Sequence, residues 1–321
     1  MENTPQYFFI FTAPLAISLC SGFSEGDFST FRKVAEDSKI VVQNGTESFL
    51  NETVDSELQC LMKRYEFHYL VEVMELPNDQ FHCQFFKKKF GDVSVVSSAN
   101  RSVYDRVLPE LCQDLGKGEP DGEYEISPGD GEKMEVFCDM TRNGGGWTTF
   151  QRRFDGSVDF FRKWVDYKEG FGSADGEYWL GLDHIHQITA YYPNMLVRME
   201  ATAFDGDQAH LIYQNFYVEG AENLYKLHAG TFIGGDDSMK ADWENHDGQY
   251  FSTHDNPNDV SNYYNCANFV KGAGWYKSCA DYNFNGRYEN SDIAGATSIF
   301  WKLFKQTKSL KSVSLSIKRR D

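Results

Sequence analysis

Basic charge is scarce in this chain relative to acidic charge: 31 Lys and Arg stand against 48 Asp and Glu, a formal net charge of -17 at pH 7. A surface of that sign repels phosphates, so nucleic acid is excluded as a partner. Catalytic patterns are scarce as well. There is no His-Glu-x-x-His pair and no cysteine in the flanking sequence of a catalytic thiol, so a binding role is the stronger reading and an unrecognised hydrolase its competitor. Gly-X-Y triplets and sustained heptads are absent, which excludes multivalency through a collagen stalk or a coiled coil, so the chain either oligomerises differently or acts singly.

Long apolar runs are also missing, apart from Tyr7 to Cys20. That run suits the core of a secretory signal and is too short to span a bilayer comfortably. We read residues 1–22 as a cleaved signal, although MENTPQ before the run carries no Lys or Arg; the alternative is a buried strand or an uncleaved anchor. Of seven cysteines, six remain once Cys20 is removed, an even set for an oxidising compartment. Asn44, Asn51 and Asn100 each begin an Asn-x-Ser/Thr acceptor pattern for N-glycosylation.

Residues 23–108 form an N-terminal region of unknown fold. Leu58 to Leu76 reads as one helix or two strands, Cys60 and Cys83 flank it as an expected pair, and the small polar segment Ser94 to Ser102 reads as a linker.

The densest chemistry lies between Phe251 and Tyr288. Asp255, Asn256, Asn258 and Asp259 crowd oxygen ligands into a loop that Pro257 keeps out of helix and inner strand, which suits a hard cation. Cys266 and Cys279 bracket a Gly-rich loop, and a bridge closing it would stabilise the fold by about 3 kcal/mol. Asn283-Phe284-Asn285-Gly286 then forms a tight polar turn. The acidic loop, a Cys, Gly272-x-Gly274-Trp275-Tyr276-x-x-Cys279 and Asn-x-Asn-Gly, in that order, resemble the fibrinogen C-terminal domain family of the fibrinogen chains, ficolins, tenascins and angiopoietins. The resemblance extends over residues 109–321 through Cys112, Asn143-Gly144-Gly145-Gly146-Trp147 and Tyr178-Trp179-Leu180-Gly181.

That resemblance implies an α+β fold with a central antiparallel sheet, short helices, long loops and the bridges Cys112 to Cys138 and Cys266 to Cys279. Met134 to Asp139, Met195 to Phe204 and Leu211 to Val218 read as strands of that sheet. Val158, Phe160, Phe161 and Trp164 have helix-like spacing. His184 and His186 are read as part of a structural helix rather than as metal ligands, since no third ligand cluster lies nearby.

The resemblance also implies a calcium ion held by two carboxylates before the first Cys of the loop. Here the second position is Asp259 and the first is Pro257, so the expected ligands are Asp255 and Asp259 with the carbonyls of Ser261 and Asn262, and binding is expected to be weak or lost. Asp281 to Gly286 nearly satisfies an EF-hand pattern but lacks the flanking helices, and is read as coincidence. A ligand pocket of the ficolin kind is expected beside Cys279, near Tyr276, Ala280, Tyr282 and Ala296. Ala280 replaces the family's His, and Gly295 and Lys308 stand where wall aromatics would be, so an N-acetyl sugar is not singled out over a peptide or protein. Lys302 to Arg320 is basic, which reads as Lys guarding a sheet edge or as a patch for acidic partners. The expected protein is a secreted, noncatalytic recognition molecule for an extracellular glycan or protein, with a matrix or receptor-binding signalling ligand as the alternative.

Overall fold

The structure is a computed structural model. It describes the backbone of residues 31–41, 50–54, 70–75, 81–86, 94–106 and 108–320 apart from 117 and 131, with side chains from Leu108 onward except at 117, 130 and 131. The chain divides into two compact units, Met1–Val107 and Leu108–Asp321.

In the first unit, strands β1 (Phe31–Val41), β2 (Leu50–Val54), β3 (Leu70–Glu75), β4 (Phe81–Phe86) and β5 (Ser94–Arg106) form one antiparallel sheet in the order β1-β5-β3-β4-β2. The linker expected at Ser94 to Ser102 is therefore corrected to a strand. Val95 and Val96 pair with Ile40 and Lys39, and Val103 with Ala35, across a register shift between Glu36 and Ser38. Cys83 and Asn51 lie in β4 and β2 and Asn100 in β5, whereas Cys60, Asn44 and the apolar run Tyr7 to Cys20 lie outside the described residues.

The second unit is built on a nine-stranded sheet. Its strands are β6 (Gly122–Ile126), β7 (Met134–Asp139), β8 (Trp147–Arg153), β9 (Phe171–Gly172), β10 (Tyr178–Trp179), β11 (Met195–Ala203), β12 (Gln208–Gln214), β15 (Thr231–Gly235) and β16 (Leu310–Arg319). The main path runs β15-β12-β11-β16-β8-β10-β9, with β7 pairing both β6 and β8, all antiparallel. A separate hairpin joins β13 (Tyr217–Val218) to β14 (Leu227–His228), so the expected strand Leu211 to Val218 is split between two sheets. Helices are short, the longest described one being Leu182–Tyr191. The helix-like spacing from Val158 produces a helix only from Trp164 to Glu169. It stops at Gly170, where φ is 99° and a Cβ would sit 2.5 Å from the Leu180 carbonyl oxygen, a backbone that favours glycine.

Strand β16 corrects the reading of the basic tail. It lies inside the sheet between β11 and β8, with Leu310, Val313, Leu315 and Ile317 buried. The tail guards no edge, and four of its cations meet carboxylates. Lys302 meets Asp281 at 2.9 Å, Lys305 meets Asp205 and Asp207, Lys308 meets Asp292 at 2.8 Å, and Arg319 meets Glu110 at 3.0 Å and also Asp114. The core packs Trp179, Trp243, Trp275 and Trp301, all buried, against the stretch that carries the candidate site.

Candidate functional site

The stretch Phe251 to Tyr288 is held from beneath by buried polar chemistry. Asn283, wholly buried, accepts the Tyr276 hydroxyl at 2.7 Å and donates to the carbonyls of Val270 (2.9 Å) and Ser298 (3.1 Å). Asn285 donates to the Ala273 carbonyl at 3.1 Å and accepts from Gln151 at 3.2 Å. The Arg153 guanidinium, buried below the turn, donates to the carbonyls of Phe284 (3.2 Å) and Gly286 (2.9 Å) and pairs with buried Glu177 at 3.4 Å. Glu177 in turn accepts the N–H groups of Phe154, Asp155 and Gly156 at 2.6, 2.9 and 3.0 Å. Thus the Asn-x-Asn-Gly segment ties the loop to the sheet, since every buried amide and carbonyl it presents needs a partner.

Above this base, Cys266 and Cys279 are bonded with Cα atoms 5.2 Å apart, and Cys112 and Cys138 with Cα atoms 5.4 Å apart. Of the residues expected around a pocket, Tyr276 and Tyr282 are buried at 1% and 5% exposure, while Cys279, Ala280 and Ala296 are partly exposed. The two tyrosines therefore pack under the loop, where burial raises both phenol pKa values.

The open surface here is aromatic. Tyr263 is 88% exposed and Tyr264 61%, and Val260 and Phe269 are also exposed, with the Tyr264 and Phe269 rings 5.2 Å apart. This segment is pinned by Asp259, whose carboxylate accepts the N–H groups of Ser261 (3.3 Å) and Cys266 (3.1 Å). Asn265 caps the helix Cys266–Val270 by accepting the Asn268 N–H at 2.8 Å, and its amide donates to the His254 carbonyl. Sequence reasoning passed over this shelf because it attended to ligand and cysteine positions; the signal was the consecutive Tyr263-Tyr264 in an otherwise polar loop.

The calcium implied by the resemblance finds a poor fit. Pro257 offers no side-chain oxygen, Asp259 is engaged with two N–H groups, and Asp255 accepts the Trp164 N–H at 3.0 Å and the Thr253 hydroxyl at 2.8 Å. Among the described residues no group of three or more His, Cys, Asp and Glu is arranged to hold a metal. Asp281, from the EF-hand-like pattern, meets Lys302 at 2.9 Å and accepts the Asn245 amide at 3.1 Å, and no long helix flanks it. His184 and His186 lie in the helix Leu182–Tyr191, each with Nδ1 against a backbone carbonyl, of Leu180 and Val218. One pattern the sequence reading missed, Gly22-Phe23-Ser24-Glu25-Gly26, has the letters of a nucleophile elbow; it lies outside the described residues.

A disulfide-bonded antiparallel sheet with short helices and a cysteine-closed loop is the architecture of a fibrinogen-like globe. The chain belongs to the fibrinogen C-terminal family: the profile of the fibrinogen beta and gamma chains, C-terminal globular domain, matches residues 109–320. Tenascin-R of Homo sapiens is 45% identical over 174 residues, which cover 53% of this chain and 12% of tenascin-R. Ficolin-3 of Homo sapiens is 42% identical over 190 residues, covering 58% of this chain and 62% of ficolin-3. The chain thus spans only part of the length of these relatives. Among solved structures, the fibrinogen-like globe domain of human ANGPTL2 matches with a TM-score of 0.61 and 35% identity, covering 66% of this chain and 100% of that one. Fibrinogen-like domain families are non-enzymatic recognition domains that bind protein or glycan ligands, and their members are secreted or extracellular matrix proteins.

Proposed function

We propose that this chain is a secreted recognition protein that binds an extracellular glycan or protein ligand through its fibrinogen-like domain, with no catalytic step. The binding face is the shelf of Val260, Tyr263, Tyr264 and Phe269 beside the Cys266 to Cys279 loop. What carries this reading is the exposure of two adjacent tyrosines, 88% and 61%, on a segment fixed by Asp259 and the disulfide. Rigid aromatic rings supply large contact area at low entropic cost and accept both sugar rings and apolar side chains. Residues 1–22 serve as the signal, consistent with relatives that are secreted or matrix proteins.

A second reading, a matrix or signalling ligand for a protein receptor, is favoured by the complete coverage of the angiopoietin-like globe domain. A glycan array probed with the secreted chain, with and without calcium, tests the first reading. Selective signal that falls at least tenfold in Tyr263→Ala/Tyr264→Ala supports the shelf. A signal unchanged by the double substitution overturns it, and a silent array transfers the assignment to a protein receptor.

A further inference from the structure

Outside the stretch just described, the second unit carries a cavity of about 350 Å³ with no residue between Phe251 and Tyr288 in its lining. Its floor is one face of three neighbouring strands. Glu200 of β11, Ser314 of β16 and Arg152 of β8 stand abreast in register, with Thr202 opposite Ser312 beside them. Phe137 and Phe154 form part of the wall, and Asp121, Asp139, Arg142 and Arg153 supply its further charged groups.

Most charges here are accounted for. Asp121 accepts the Met140 N–H at 2.7 Å and the Thr141 hydroxyl at 3.0 Å. Asp139 accepts the N–H groups of Thr141 and Arg142 and pairs with Arg198. Glu200 accepts the Asn143 amide at 3.3 Å and lies 3.0 Å from Arg198 and 3.6 Å from Arg142. Arg153 is engaged with Glu177 and the turn carbonyls. Arg152 differs: among the described residues it has no ion-pair or hydrogen-bond partner, and its guanidinium carbon sits 3.9 Å from the Phe137 ring centroid and 4.7 Å from that of Phe154. Two rings thus hold a planar cation in place while leaving its N–H fork free. Burial lowers its pKa from the ordinary arginine value, and the nearby Asp121 and Asp155 carboxylates offset part of that without bonding to it. The hydroxyls of Thr202, Ser312 and Ser314 are likewise without hydrogen-bond partners among the described residues.

We propose that this cavity binds a singly charged acidic sugar, its anionic group taken bidentately by Arg152, and its ring hydroxyls by Ser314, Ser312 and Thr202. A fixed guanidinium fork matches a carboxylate or sulfate, and a row of free hydroxyls matches a polyol. The volume suits one or two sugar rings. The net charge of -17 selects against a densely charged polymer, because each further anion would enter a repelling field.

The test is titration of the full secreted chain, followed by NMR or calorimetry, with sodium glucuronate, sodium galacturonate, glucose 6-sulfate, glucose and sodium sulfate. At least one sugar anion is expected to bind at least tenfold more tightly than glucose and than sulfate, with Arg152→Gln losing at least tenfold of that affinity. Tyr263→Ala should leave it unchanged, which separates failure of this site from failure of the aromatic shelf. Sulfate binding as tightly as the sugar anions would reduce the site to a simple anion cradle and overturn the assignment. So would no binding of any sugar anion at about 20 mM, a concentration that reveals even weak sites. Should Arg152→Gln fold poorly, as judged by circular dichroism, the Ser312→Ala/Ser314→Ala variant takes its place. Several-fold loss for the sugar anion is then expected, and unchanged binding overturns the proposal.

Discussion

Asp242 lies 3% exposed, accepts the Leu303 N–H at 2.6 Å, and is pushed by burial to a pKa of about 6. A carboxylate raised above its unfolded value stabilises the fold only while protonated, so its contribution is lost as pH rises through about 6. Asp242→Asn keeps an acceptor for Leu303 and removes the buried charge. It should stabilise the protein by about 1–2 kcal/mol at pH 8 and by little at pH 5, read from urea unfolding at the two pH values. His246 works in the opposite sense. Its Nδ1 bonds the Trp275 carbonyl at 2.7 Å, its Nε2 accepts the Asp281 N–H at 3.2 Å, and burial lowers its pKa from 6.5. Both nitrogens are used by the neutral ring, so stability from this residue is present above about pH 6.5 and falls as pH drops toward the lowered folded value. Histidine proton shifts should show His246 titrating below 6.5; a pKa at or above that value would contradict the assigned bonding.

At the scale of elements, the turn Asn283 to Gly286 supports the cysteine-closed loop through buried hydrogen bonds. Asn283→Ala leaves the Tyr276 hydroxyl and the carbonyls of Val270 and Ser298 without their buried partner. The expected cost is about 3 kcal/mol or more by urea denaturation, given the penalty for unpaired buried groups. The acidic loop carries a separate prediction. Because Pro257 removes one carboxylate and N–H donors engage both oxygens of Asp259, calcium should bind no more tightly than about 10⁻⁴ M. Calorimetry on the wild type, Asp259→Ala and Asp281→Ala decides this, and submicromolar binding in the wild type would refute it. The turn was legible as a motif in the sequence, but the partners it uses were not. Gln151, Arg153 and Glu177 lie far from it along the chain, and only the sheet brings them beneath it. The Gln151-Arg152-Arg153 run at the end of β8 was the visible sign.

For the whole molecule, the six cysteines left after signal removal are expected to form three bridges, including Cys60 to Cys83 in the N-terminal unit. Peptide mapping of unreduced protein checks this, and a free thiol at Cys60 or Cys83 would break that pairing. N-glycans are expected only at Asn44, Asn51 or Asn100, marked by enzymatic deglycosylation in heavy water; protein from secretory cells with none of them modified would count against export. Among the described residues no helix is long and apolar enough to cross a membrane.

What the sequence determined was local: which cysteines close which short loops of the fibrinogen-like unit, where glycines turn the chain, and which motifs mark the family. Gly145 illustrates this, since its φ of 64° and the 2.0 Å approach that a Cβ would make to the Met140 carbonyl oxygen are met by glycine alone. Tertiary structure decided what depends on distant partners. The basic tail looked like an edge or a free patch because its acids lie elsewhere in the chain. Insertion of β16 between β11 and β8 makes it interior, and Asp205, Asp207, Asp281 and Asp292 compensate its lysines. Tyr276 and Tyr282 looked like pocket walls, whereas Tyr263 and Tyr264 face the solvent. Residue type states what a side chain can bond; only the packing settles whether water, protein or a ligand is there to meet it.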